Sequence, residues 1–270
     1  MTPAAPIRVL VQALAGLTLG FLVLPILAVV PASVNPLSHL RIPPLGISTR
    51  WYREFFRDPE WLTSLGTSVR VALLTTALAL VLGVLAALGL ERLGGRLRQL
   101  FTGLVLAPLI VPVIMTSVAL YYVGQRVGLV GTTLGMAAGH ALMALPFVVL
   151  NVGVSLHGLD PMLPRAAAGL GASPWHAFRT VTLPLILPGV VGGAVFAFIT
   201  SFDEVVISIF LAGVGAKTLP VKMWEVIRVE ITPVAAVAST LFVALTVVLF
   251  WVVRRVGARS GEASDGAPAR

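Results

Sequence analysis

Residues 159–189 read LDPMLPRAAAGLGASPWHAFRTVTLPLILPG, and this stretch decides the fold. It is the longest segment in the last two-thirds of the chain without a membrane-spanning run, yet it is patterned for helix. Asp160 followed by Pro161 is a helix start, a capping carboxylate ahead of a proline that needs no amide hydrogen. Residues 165–170 are alanine-rich, and Gly171 supplies the positive φ that ends such a helix. Ser173-Pro174 repeats the start signal, and Trp175, Phe178 and Val181 follow at three-residue spacing on one face. The pattern predicts two short helices at a sharp angle between apolar runs. A soluble loop does not normally expose Trp and Phe, so a protein partner is expected to cover them.

Outward from this stretch the chain is apolar. Of 270 residues 57% are hydrophobic and 11% charged, against about a quarter charged in soluble domains. Several runs exceed the roughly 20 apolar residues that cross a bilayer. Six spans are predicted, over residues 9–34, 65–90, 100–124, 131–156, 185–212 and 233–253. The opening MTPAAPIR leads into a run too long for a signal-peptide core and reads as an uncleaved first span. Pro25 and Pro31 are expected to kink that span. Pro108, Pro112, Pro146 and Pro188 are expected to bend later ones. Residues 35–63 form a Pro-rich aromatic loop whose Trp51, Tyr52, Phe55, Phe56 and Trp61 suit a short interfacial helix. Gly131, Gly135 and Gly139 recur every four residues, a small-residue ridge for close helix packing. The chain therefore reads as one transmembrane domain over 1–253, followed by a small, polar tail over 254–270 that is expected to be disordered.

With no Cys there is no disulfide, thiolate nucleophile or Cys-ligated metal. The net charge of +8 is spread between spans, which suits lipid head groups and orientation rather than nucleic acid. Of the 19 basic residues, ten fall on the side of the termini and nine on the other. The first set lies closer to span ends in short segments, which favours termini inside.

Residues 157–184 resemble the cytoplasmic coupling loop, or EAA loop, of ABC-importer permeases. The family pattern is Glu-Ala-Ala, three residues, Gly, nine residues, Ile, one residue, Leu-Pro. Here Arg165-Ala166-Ala167, Gly171, Val181 and Leu183-Pro184 stand at that spacing, with Arg165 in place of the usual Glu. The resemblance implies an all-α membrane protein of the type I ABC-importer permease fold, six spans with the coupling loop and both termini in the cytoplasm. It implies that Arg165, Ala166, Ala167, Gly171, Trp175, Phe178, Leu183 and Pro184 engage a separate ATPase.

Chemistry of the chain's own is hard to find. Metalloprotease, hydrolase-elbow and calcium-loop motifs are missing. Residues 213–218 imitate a phosphate-binding loop, but Ala216 stands where that motif needs Gly and the loop falls on the outer side. His140 and His176 read as hydrogen-bonded packing residues, with nothing nearby to complete a metal set. The informative pair is Asp203-Glu204. A carboxylate inside a span costs a few kcal/mol and needs a reason. About 22 Å of helix separates the pair from Pro188, which puts it in the outer half of the bilayer. Adjacent helical residues point about 100° apart, so one is expected to face a pathway and the other a neighbouring helix. A structural ion pair with Arg70 or Arg126 is the competing expectation.

Ser201-Phe202-Asp203-Glu204-Val205-Val206, the run from Thr218 to Trp224, Ile231-Thr232-Pro233 and Leu145-Pro146-Phe147-Val148-Val149 are similar to the spermidine/putrescine subgroup of these permeases. That resemblance implies two ATP-binding subunits, a second related permease or a second copy of this chain, and an external binding protein. Acidic residues at the Asp203 position would line the path of a cation. Trp224 and Glu225 could add a cation–π face and charge near the outer mouth. ATP and Mg²⁺ would be bound only by the partner, leaving this chain a non-catalytic transport subunit without cofactor, in the bacterial inner membrane. The alternatives are another substrate of the same family, such as an amino-acid derivative or a metal complex, and an ion-coupled secondary carrier using Asp203 or Glu204.

Overall fold

The computed structural model describes residues 5–39, 42–213, 215–229 and 232–265. Val214 of the glycine-containing loop, Ile231 of the Ile-Thr-Pro motif and residues 266–270 of the tail lie outside them. The described residues are helical, with no strand among them. Among the described residues five helices are long and apolar enough to cross a membrane, and a bent pair makes a sixth if counted as one span. The chain divides into two compact units, Met1–Leu62 with Met223–Leu245 and Thr63–Lys222 with Thr246–Arg270.

The smaller unit begins with α1 (Ala5–Ser33), which carries Pro25 and Pro31 inside the helix. Side chains from Val9 to Leu27 are exposed along its length, as expected of a helix whose solvent is lipid or another subunit. The aromatic loop then folds back. Trp51 Nε1 donates to the Asn35 carbonyl at 2.8 Å, and Ser33 and Tyr52 share a hydroxyl contact at 2.9 Å. Trp51 and Phe55 lie on α2 (Arg50–Arg57) and Trp61 in the first turn of α3 (Pro59–Arg92). These three are buried, with Phe55 and Trp61 rings 5.4 Å apart. A short helix forms where one was expected, but three of the five aromatics are buried in the protein interior. Each buried Trp or Phe ring removes a large apolar area from water.

The larger unit is built on α3, α6 (Thr133–His157) and α9 (Leu183–Phe202). Its core joins Ala79 and Ala87 of α3, Val148 and Val152 of α6, and Ile186 and Ala197 of α9. Small residues let α6 and α9 approach closely. A Cβ on Gly193 would meet the Val148 Cα at 3.1 Å, and one on Gly189 would strike Ser155 and the Asn151 carbonyl. The expected ridge is shorter than its sequence period, because Gly131 stands before the helix at φ +80°. Gly139 keeps its role, since a Cβ there would meet Leu211 and Ile207 side chains at 2.8 and 3.0 Å.

Two expected spans are broken. Between α3 and α4 (Gly95–Leu106) the basic turn shrinks to Leu93-Gly94. After a 3₁₀ turn at Ala107–Leu109 the chain turns by 96° into α5 (Val113–Arg126). Pro108 and Pro112 remove the amide hydrogens that a continuous helix needs there, so they break the third span rather than bend it. Pro146 and Pro188 stay inside unbroken helices. The fifth span stops at Phe202 and resumes as α10 (Val206–Leu211). Then follow α11 (Leu219–Val229) and α12 (Pro233–Asp265), which carries helix through residues 254–265, where composition predicts disorder. At the end of α3, Glu91 pairs with Arg98 of α4 at 2.9 Å and His157 of α6 at 3.2 Å.

Candidate functional site

The break in the fifth span is made by its own residues. Asp203 ends α9 with φ −90° and ψ −4°, its N–H bonded to the Ile199 carbonyl at 3.0 Å. Asp, with a short side chain that competes for backbone hydrogen bonds, favours helix ends. Glu204 turns its Oε1 to accept from the Ile207 N–H at 2.7 Å, satisfying an orphan donor at the start of α10. The pair is therefore not helical, and the 100° separation expected of helical neighbours does not apply. Asp203 is exposed and Glu204 is half-buried and engaged. Among the described residues neither carboxylate forms an ion pair with Arg70 or Arg126, which are themselves exposed.

Beneath the break runs a buried polar chain. His140 of α6, fully buried, contacts the Ser201 hydroxyl through Nδ1 at 2.9 Å and the Ser208 hydroxyl through Nε2 at 3.1 Å. Ser201 donates to Thr75 of α3 at 3.1 Å, and Thr75 donates to the Ala137 carbonyl at 3.2 Å. Ser208 donates to the Glu204 carbonyl at 3.0 Å. The expectation of a hydrogen-bonded histidine holds for His140, while His176 lies exposed in the coupling loop. That His140 joins the last turn of α9 to α10 across the break was not predicted. The available signal was four polar residues, Thr75, His140, Ser201 and Ser208, each inside an apolar run, where a buried polar group requires a partner.

Trp224 and Glu225 sit on α11 in the smaller unit, Trp224 exposed and Glu225 half-buried. Arginine–aromatic stacking is seen at Arg50 over Trp51 and Arg255 over Trp251. Of the expected pathway residues, Asp203 and Glu204 stand together at the break in the larger unit.

The second candidate surface is the 157–184 loop. Asp160 Oδ1 accepts from the Met162 N–H at 2.8 Å and opens α7 (Met162–Gly169). Gly171 takes φ +88°, a conformation that a side chain would strain, and turns the chain. Ser173 Oγ accepts from the His176 N–H at 3.3 Å and opens α8 (Pro174–Ala177). Residues Phe178–Thr182 widen into a π-helical turn that leads into α9 at Leu183-Pro184. Trp175 is 69% exposed and stacks on Phe178 with centroids 5.6 Å apart. Arg165 and Ala166 are exposed and Ala167 half-buried. A groove of about 530 Å³ runs between Val84, Leu85 and Leu88 of α3 and Pro164, Trp175 and Phe178 of the loop. Both expected helix starts and the glycine turn are present; the π-helical turn was not expected.

Residues 79–261 match the family described as binding-protein-dependent transport system inner membrane component. The putrescine transport system permease protein PotI of Escherichia coli K12 is 32% identical over 240 residues, 85% of this chain and 84% of that protein. The molybdenum transport system permease protein ModB of Mycobacterium bovis is 34% identical over 238 residues, 82% of this chain and 89% of that protein. The fold is similar to a solved bacterial ABC transporter involved in import of the acidic polysaccharide alginate, with TM-score 0.69, 16% identity, and 96% of this chain and 98% of that one covered. These relationships decide against the secondary carrier. The chain belongs to the binding-protein-dependent inner membrane permeases, as the permease subunit of an ABC importer.

Proposed function

We propose that this permease subunit translocates a polyamine-like cation inward across the bacterial inner membrane. The observation that carries the reading is the exposed Asp203 carboxylate at a break in an apolar span, beside a Glu204 already engaged by backbone. A carboxylate in such a place is costly unless it meets a cation or water-filled path. A flexible polyamine carries amines at intervals, and one of them can meet the Asp203 carboxylate. The relative PotI, named for putrescine, supports the same class.

In this reading the chain is one permease domain over 1–253, with both termini and the coupling loop in the cytoplasm. It works with two ATP-binding subunits, a second related permease or a second copy of itself, and a periplasmic binding protein. ATP and Mg²⁺ stay on the partner subunits, and this chain does no chemistry. Closure of the ATP-binding subunits pushes on Trp175 and Phe178, and the helices rock between inward- and outward-open forms. Substrate delivered by the binding protein passes Asp203.

A second reading keeps the importer and changes the cargo to a metal complex or an amino-acid derivative. ModB, named for molybdenum and 34% identical, favours it. Calorimetric titration of the cognate binding protein separates the two. Micromolar binding of putrescine or spermidine supports the first, and binding of molybdate without polyamine binding contradicts it.

A further inference from the structure

The chain of hydrogen bonds under the break has five links: Ala137 carbonyl to Thr75, Thr75 to Ser201, Ser201 to His140, His140 to Ser208, and Ser208 to the Glu204 carbonyl. Both ends are carbonyls, which only accept. The three hydroxyls and a neutral imidazole supply one hydrogen each. Four hydrogens serve five links, so one link always lacks a hydrogen, and the tautomer of His140 decides where. With the hydrogen on Nε2, His140 donates to Ser208, Ser208 donates to the Glu204 carbonyl, and the gap falls between His140 and Ala137: at the Ser201–His140 link while Ser201 donates to Thr75, or at a Thr75 link when Ser201 turns its hydrogen to Nδ1. With the hydrogen on Nδ1, Ser201 and Thr75 are fully linked, and the gap falls at Ser208. It then either empties the His140–Ser208 link or takes the Ser208 hydrogen away from Glu204.

We propose that His140 is the positioning residue of the break: through Nε2–H and Ser208 it fixes the Glu204 backbone, and so the attitude in which Asp203 is presented. Three features of the geometry support this. His140 is on α6 while both its partners flank the break on α9 and α10, so one ring sets the separation of two helix ends. Ser201, His140 and Ser208 are buried, so water does not compete for their hydrogen bonds. The Glu204 side chain accepts from Ile207 and its carbonyl accepts from Ser208, so Ser208 holds the backbone of a residue whose side chain is engaged separately. The consequence for transport rests on the reading of Asp203 as the cation contact. The clamp itself does not.

The test uses the importer assembled with its ATP-binding subunits and two near-isosteric variants. An Asn amide reaches the place of Nδ1 and a Gln amide that of Nε2, so His140→Asn keeps the Ser201 link and His140→Gln the Ser208 link. The first readout follows the break directly. The chain has no Cys, so Val205→Cys gives a single thiol in the break, and its rate of modification by a small methanethiosulfonate is measured. The rate is expected to match the parent within about twofold with His140→Gln and to rise about fivefold with His140→Asn, as for loss of one hydrogen bond of ordinary net strength. Equal rates in the two variants overturn the proposal. The second readout is putrescine uptake against concentration, with Asp203→Asn alongside. His140→Asn is expected to raise KM about fivefold with assembly intact, and His140→Gln to restore it. A fall in maximal rate and yield alone, shared by both variants, marks a merely structural histidine and also overturns it. If Asp203→Asn leaves KM unchanged, the cation reading fails, and the thiol rates alone decide for or against the clamp.

Discussion

Glu204 folds its carboxylate back onto the Ile207 N–H, 2.7 Å away, and so closes the first turn of α10 with the side chain that sequence offered as a pathway candidate. A cap of this kind contributes about 1 kcal/mol. Glu204→Gln keeps an acceptor in place and is expected to leave the yield and melting temperature of the assembled importer near the parent. Glu204→Ala removes it and should lower both. Thermal melting of the purified complex distinguishes them, and equal losses from Gln and Ala would show that charge rather than capping is what Glu204 supplies.

Glycine substitutions rank the packing of the larger unit. At Gly189 a Cβ meets Asn151 backbone and the short Ser155 side chain, neither of which can move away cheaply. At Gly139 it meets the methyl ends of Leu211 and Ile207, which can shift. Gly189→Ala should therefore destabilise by about 1–3 kcal/mol, and Gly139→Ala by less. Reversal of that order in melting experiments would contradict the close α6–α9 approach.

The coupling loop offers its test at two positions of different kind. Gly171 holds φ +88°, so Gly171→Val strains the turn between α7 and α8. Trp175 is exposed, so Trp175→Ala removes apolar surface available to a partner without opening a cavity in this chain. Both should lose the ATP-binding subunit on co-purification, or uncouple hydrolysis from uptake, while the permease still inserts. Normal uptake with the ATPase bound in both variants would remove this loop from the coupling role.

Arg165 is exposed on α7, where the resembling loops carry Glu. The packing residues around it, Ala166, Ala167 and Gly171, already match the family spacing, so Arg165→Glu should assemble. Loss of the ATPase in Arg165→Glu, regained by a charge reversal on the ATPase, would instead show that Arg165 makes an ion pair in the complex.

The local features of the fold were legible because they depend on adjacent residues. Asp160, Gly171 and Ser173 act on backbone within three residues of themselves, and each does what its type predicts. The breaks at Pro108–Pro112 and Asp203–Val205 were hidden because hydropathy reports the surroundings of a segment, not whether its helix is continuous. Both breaks lie inside runs that stay apolar. The role of His140 was hidden for another reason, since Ser201 and Ser208 lie 61 and 68 residues away in sequence.

Asp203 carries the central claim, and uptake of a cation by Asp203→Asn tests it most directly. The change removes the charge and keeps the size, and a charge-assisted contact is worth about 1.5–3 kcal/mol, so uptake at low substrate should fall by roughly one to two orders of magnitude. Assembly with the ATPase should survive, because α9, 20 residues and so about 30 Å long, separates the break from the coupling loop. Initial rates of labelled putrescine uptake are measured in Asp203→Asn and Glu204→Gln at matched amounts of complex. The account predicts a loss of tenfold or more, expressed in KM, for Asp203→Asn and little change for Glu204→Gln. Undiminished putrescine uptake by Asp203→Asn would contradict it.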